Sequence, residues 1–236
     1  MNKQTSDIYQ MENRAFLEKK LDQLRESVIV DAGYLENEVI ELCRTALLVH
    51  GKDSNQMRQI AQISKILAES LGLGVVYSKM IEQAARIYDL GNIVIGSEIY
   101  KKEDKLSFEE FNIVKNHTLI GHDILKAQGF PITNLSAIIS AEHHEWWDGG
   151  GYPLGKKGTE INMASRIVAI ADTVGALFRK RPGRKAWSYD EILKYIENRA
   201  GIQFDPDIID VFLINKEVIY KILCTDLESA PSDWYH

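Results

Sequence analysis

Apolar residues recur at spacings of three and four along most of this chain, and that period admits helices and little else. Ile60, Ile63, Ile66, Leu67 and Leu71 share one face, and Gly72 follows as a stop. Met80, Ile81, Ala84, Ala85 and Tyr88 form a second such face, and Leu135, Ile138, Ile139 and His143 a third. Ala164, Ile167, Val168 and Ala171 line a fourth, which carries Asp172 beside it. No run of alternating residues lies between hairpin turns, so a substantial sheet is not expected. The expected class is all-α, a helical bundle with an N-terminal helical extension.

The first 50 residues read differently from the rest. Leu17, Leu21, Leu24 and Val28 are spaced by four, three and four amid charges. That spacing suits either a short coiled coil, giving a homodimer through the N-terminal helix, or an amphipathic helix packed on the domain. The expected organisation is a helical extension over 1–50, a main domain over 51–228 and a loose tail over 229–236.

Composition narrows the function classes. A formal charge of -6 argues against a DNA-binding protein, while leaving room for a small anion in a local basic pocket. Two cysteines cannot form a disulfide framework. No stretch approaches the roughly 20 apolar residues that cross a bilayer, and "MNKQTSDIYQMENR" lacks a signal-peptide core. A cytoplasmic protein without membrane insertion is the expectation.

The chemistry concentrates in "AEHHEWWDGGGYP", residues 141 to 153. On a helix, His143 and His144 diverge by roughly 100°, so they serve two neighbouring points of one pocket. Gly149, Gly150 and Gly151 allow close backbone approach. Taken alone, the stretch also fits a plain helix end, with histidines near the dipole and glycines in the exit turn. Asp89, His117 and Asp172 lie in other helical stretches, and a carboxylate on an apolar face is costly unless it is paired or bound to a metal. Imidazole and carboxylate together suit Fe, Mn, Zn or Ni in a hydrolytic site.

The order of these stretches resembles the HD-GYP family, HD-domain phosphohydrolases associated with hydrolysis of cyclic di-GMP. "AARIYDLGN", "KLSFEEFNIVKNHTLIGHDIL", "HHEWWDGGGYP", "ASRIVAIADTVGAL", "RKRPGRKA" and "GIQFDPDIIDVF" carry the likeness over roughly residues 51 to 214. The resemblance implies a bundle of about seven helices around two or three metals. By that resemblance Asp89, His117, His143, His144 and Asp172 are metal ligands; Asp89 and Glu145 are the candidate catalytic carboxylates, Glu145 being with Glu142 and Glu82 an available acid. Gly151 and Tyr152 form the pocket wall, and Arg181 and Arg184 meet the phosphates of a cyclic dinucleotide.

Five positions depart from the pattern. Asn55 and Tyr88 stand where the family has histidines, Asn92 where it usually has lysine, Gly175 where an aspartate is usual, and Gly183 where a tyrosine follows "RP". Tyrosine is neutral below a pKa near 10, and an amide oxygen binds transition metals weakly. One metal position would therefore be intact and one damaged, which implies one divalent transition metal per chain. Two readings follow: a protein that binds a cyclic dinucleotide, cyclic di-GMP first, with weak or no hydrolysis; or an active phosphohydrolase with altered ligands or a different phosphorylated substrate.

Overall fold

The computed structural model describes residues 14–21, 32–96, 99, 102, 104–180 and 183–225. Among these residues helices carry the fold and no strand occurs; the bridge between Ala200 and Phe204 is isolated. A helix over 14–21 (α1) is followed by Ala32–Val49 (α2), Ser54–Ser70 (α3) and Val75–Ala84 (α4). Phe108–Lys115 (α5), His117–Lys126 (α6) and Pro131–Glu142 (α7) come next. Met163–Leu177 (α8), Tyr189–Glu197 (α9), Pro206–Ile214 (α10) and Lys216–Cys224 (α11) complete the set.

Local chemistry marks the helix starts. The Asp53 side chain accepts the Asn55 N–H before α3, Ser107 and Glu110 form a capping box on α5, and Ser188 and Glu191 form another on α9. Proline opens α7 and α10 at the position where its missing N–H costs nothing.

The helices bury two apolar clusters. One joins α3, α4, α7, α8, α9, α10 and α11 through Ile63, Ile81, Ile139, Ile167, Ile192, Phe212 and Ile219. The other joins Leu17 and Leu21 of α1, Val39, Ile40, Cys43 and Leu47 of α2, and Ile124 and Leu125 of α6. Ile87, Leu90 and Ile93 belong to this second cluster and surround Asp89 in sequence. The stretch holding Asp89 is therefore clamped between helices rather than left as a surface loop.

Two expectations meet the structure here. Helix α4 stops at Ala84, so Asp89 does not lie in a helix as expected; turns span residues 85–89 and a 3-10 helix follows at Leu90–Val94. Leu17 and Leu21 are 2% and 1% exposed, buried in the chain's own core, which is the packed-helix alternative. Leu24 and Val28 lie outside the described residues, as do residues 226–236, which hold the expected tail. Residues on both sides of position 50 share the second cluster, so α2 packs as part of the domain's core. No helix among the described residues is long and apolar enough to cross a membrane.

Candidate metal centre

Close backbone contacts bring the histidines and Asp89 together. A Cβ at Gly91 would lie 1.9 Å from the His117 carbonyl oxygen, so only glycine lets the turn after Asp89 approach the start of α6. Gly121 meets the same turn one helical turn later; a Cβ there would lie 2.4 Å from Ser140 Oγ. Ser140 donates to the Thr118 carbonyl at 3.1 Å and Ser136 to the Ala84 carbonyl at 2.9 Å, which ties α7 to α6 and to the end of α4. His117 opens α6, and His143 caps the C-terminus of α7.

The hydrogen bonds orient the rings. His117 Nδ1 lies 2.6 Å from the Val114 carbonyl, and His143 Nδ1 lies 3.0 Å from the carbonyls of Ile139 and Ser140. A carbonyl only accepts, so each Nδ1 carries the proton and each Nε2 keeps its lone pair. Those two Nε2 atoms face one another at 3.4 Å. His117, His143 and His144 bring ligand atoms within 4.8 Å of one another. Backbone carbonyls that fix a histidine tautomer are the outer-shell support that a metal ligand needs, so this donor set fits a divalent transition metal.

Burial favours the neutral, ligating form of His117 and His144. It pushes His117 down to about 4 against the opposing pull of Asp89. It pushes His144 well below the usual range, with His143 and His117 adding to the effect. Asp89 Oδ1 lies 3.4 Å from His117 Nε2 and 3.9 Å from His143 Nε2, and Asp89 Oδ2 accepts from Lys52 Nζ at 2.6 Å. Burial disfavours its charge, but the Lys52 ammonium, which faces it and hydrogen-bonds to it, leads the influences that hold it well below the usual carboxylate range.

The other expected ligand does not join the histidines. Asp172, on α8, accepts the Tyr88 hydroxyl at 2.8 Å. Tyr88 is 4% exposed and meets the His143 ring edge-on, centroids 4.8 Å apart. Tyr88 and Asp172 therefore satisfy each other beside the histidine corner.

The motif loop has a mechanical explanation. A Cβ at Gly151 would lie 2.3 Å from Trp146 N and 2.5 Å from the His144 carbonyl oxygen. Gly151 is thus required for the loop to lie on the histidine turn, where the Tyr152 N–H donates to the His144 carbonyl at 3.1 Å. The Tyr152 ring stacks on His144, centroids 4.8 Å apart, and the Lys115 ammonium sits 5.2 Å above that ring. The Tyr152–Pro153 peptide is cis.

Glu145, expected as a catalytic carboxylate, is occupied by backbone N–H groups. It is 3% exposed, Oε1 accepts the Leu154 and Gly155 N–H groups, and Oε2 accepts the Lys156 N–H. Both oxygens hold the loop. Burial raises its carboxyl despite those bonds. Glu142 works alike, accepting from Lys156 Nζ at 2.5 Å and Asn162 N at 2.7 Å.

A cavity of about 260 Å³ opens beside the corner, bordered by His143, His144, Trp146, Asp172, Thr173 and Arg184. Arg184 also donates to the Ala176 carbonyl. Arg181 lies outside the described residues. A second, smaller cavity of about 40 Å³ is bordered by Lys52, Gln56, Tyr88, Asp89 and Asp172. Asn55 does not border it; its backbone N–H is capped by Asp53 in the first turn of α3. Asn92 is 6% exposed and donates to the Asp89 carbonyl at 2.8 Å, steadying the turn. A Cβ at Gly175 would lie 3.2 Å from Ile60 Cγ1, so glycine lets α8 approach α3.

Lys52, Gln56 and Lys115 are the residues that sequence reasoning missed. Lys52 is 37 positions from its carboxylate and no motif marks it. Lys115 had a signal in the "KNH" preceding the lone histidine, though not one that specifies a ring contact.

Comparison with known proteins agrees with the geometry. The HD domain family model matches residues 41–208, which contain every residue of the corner. The chain is 34% identical over 84% of its length to the cyclic di-GMP phosphodiesterase response regulator RpfG of Xanthomonas campestris, covering 53% of that protein. It is 38% identical over 68% of its length to a cyclic di-GMP phosphodiesterase of Thermotoga maritima, covering 44% of it. The chain thus spans about half the length of these curated relatives. Among solved structures, an HDG"Y"P protein from Bdellovibrio bacteriovorus shares the fold with a TM-score of 0.59 at 17% identity, over 90% of this chain and 71% of that one.

Proposed function

The chain belongs to the HD domain family, in its HD-GYP branch, and on that footing we propose that it binds a cyclic dinucleotide beside a single divalent metal and hydrolyses it slowly or not at all. The relatives that carry phosphodiesterase names act on cyclic di-GMP or 3'3'-cGAMP, which supports the ligand class. One observation carries the reading. His117, His143 and His144 keep converging lone pairs, while on the other side of Asp89 the neighbours are Lys52 and the Tyr88–Asp172 pair.

His117, His143 and His144 would hold the metal, with Asp89 beside them. Such an ion polarises a phosphoryl oxygen and lowers the pKa of water that it holds. The chain's own residues do the rest. Trp146, Thr173 and Arg184 border the cavity, while Tyr152 stacks on His144 and the Lys115 ammonium lies above the Tyr152 ring. Tyr152 stays protonated because burial, then Asp172 and Asp89, raise its phenol, so it offers a donor to a phosphate.

Hydrolysis needs charge stabilisation on both the attacking and leaving sides, and loss of one such interaction costs about 100-fold or more. With one side altered, binding without brisk turnover is the expected balance. The competing reading, an active phosphohydrolase with altered ligands, is favoured by the intact histidine trio. Calorimetric titration with cyclic di-GMP, 3'3'-cGAMP and linear dinucleotide, run beside a turnover assay with added manganese, separates them. Saturable binding without product supports the proposal. Rapid product formation supports the alternative.

A further inference from the structure

Asp89 presents its two oxygens to two different partners. Oδ1 faces His117 and His143, at 3.4 Å and 3.9 Å, and Oδ2 faces the Lys52 ammonium at 2.6 Å. Lys52 is not a loose surface side chain that happens to reach inward. It follows Gly51, whose φ of +83° turns the chain between α2 and α3. Its backbone N–H donates to the Leu47 carbonyl at 3.0 Å, and Leu47 is fully buried in the second core cluster. The root of the lysine is therefore fixed, and its tip is fixed by a carboxylate.

The small cavity around that contact offers little to a cation. Arg86 borders it beside Lys52, so two positive side chains line about 40 Å³. Of its three carboxylates, Asp89 Oδ2 receives the ammonium, Asp172 Oδ1 receives the Tyr88 hydroxyl, and Asp53 accepts from the Asn55 N–H and the Arg179 guanidinium. The remaining donor on α3 is the Gln56 amide. An ammonium is a compact point charge, and a divalent ion sharing its carboxylate would meet direct repulsion in a region only partly open to water.

We propose that Lys52 is a built-in cation that takes the charge role of a second metal at Asp89 and bars a second ion, limiting the chain to the histidine corner. This deepens the reading of a one-metal site and rests on it. Restoring a histidine at position 88 would then be insufficient to create a second site, because the ammonium remains.

The test compares bound Mn2+ in two variants after equilibration and removal of free metal, by elemental analysis. Tyr88→His should bind no more Mn2+ than the natural chain. Tyr88→His combined with Lys52→Met should gain about one equivalent per chain, and the combination with Lys52→Arg should gain none. Lys52→Gln provides a second neutral replacement should the methionine variant fail to melt cooperatively. A gain in Tyr88→His alone overturns the proposal. So does absence of a gain in a cooperatively melting neutral double variant. The readout is the difference between variants, so a natural chain that binds no metal refutes the histidine-corner reading, while the gain or its absence in the neutral double variant still decides the part played by Lys52.

Discussion

The Tyr88 hydroxyl donates to Asp172 Oδ1 at 2.8 Å, joining two residues 84 positions apart beside the histidine corner. Tyr88→Phe removes the donor and leaves the Asp172 carboxylate without it, at a cost of about 1 kcal/mol in stability. Urea denaturation of the two proteins checks the value. An unchanged midpoint would mean that water replaces the hydroxyl without loss.

Gly151→Ala tests the loop. The added Cβ would meet backbone at 2.3 Å, so the loop must move and take Tyr152 off His144. The expected result is a folded protein whose metal affinity falls about 10-fold or more, as for other outer-shell losses. Competition with a chromophoric chelator measures it, and an affinity within twofold of the natural chain would contradict the mechanical role.

The histidines give a pH dependence whose sign is fixed. Burial lowers His117 to about 4 in the folded chain, from an ordinary value of 6.5. Unfolding below pH 6.5 then takes up a proton, so stability is full above that pH and falls as pH drops from 6.5 towards 4. At pH 5 this one group accounts for a loss of about 2 kcal/mol. Melting curves of chelator-treated protein should show the decline, and His117→Asn should flatten it. A decline of the same slope in both proteins would assign it to other groups.

Leu21→Ala addresses the N-terminal helix. Leu21 is 1% exposed and belongs to the cluster that includes Val39, Leu47 and Leu90. Truncation should cost about 2–5 kcal/mol, the range for buried leucines. A cost that disappears on dilution would instead point to a partner chain.

The parts legible in the sequence were those with short-range periodicity or motif order. His117, His143 and His144 stand on helical elements whose apolar faces are visible at spacings of three and four, and they converge as the resemblance implied. The helical class was legible for the same reason. Long-range pairing was not. Lys52 reaches Asp89 from a turn that reads as a mere break in the pattern, and its contact depends on how α2 packs. Glu145 read as a free acid because its three N–H partners exist only once residues 154–156 fold back upon it. Asn55 and Gln56 are neighbours, and only the trajectory of α3 decides which one borders the cavity.

The central claim is a chain with one metal position and a ligand pocket but crippled turnover. Measuring Mn2+ content, cyclic di-GMP binding and cyclic di-GMP hydrolysis on one preparation of the unmodified protein tests it most directly. The account predicts about one metal per chain, saturable binding, and hydrolysis at or near background. Two or three tightly held metals with brisk metal-dependent hydrolysis would contradict it.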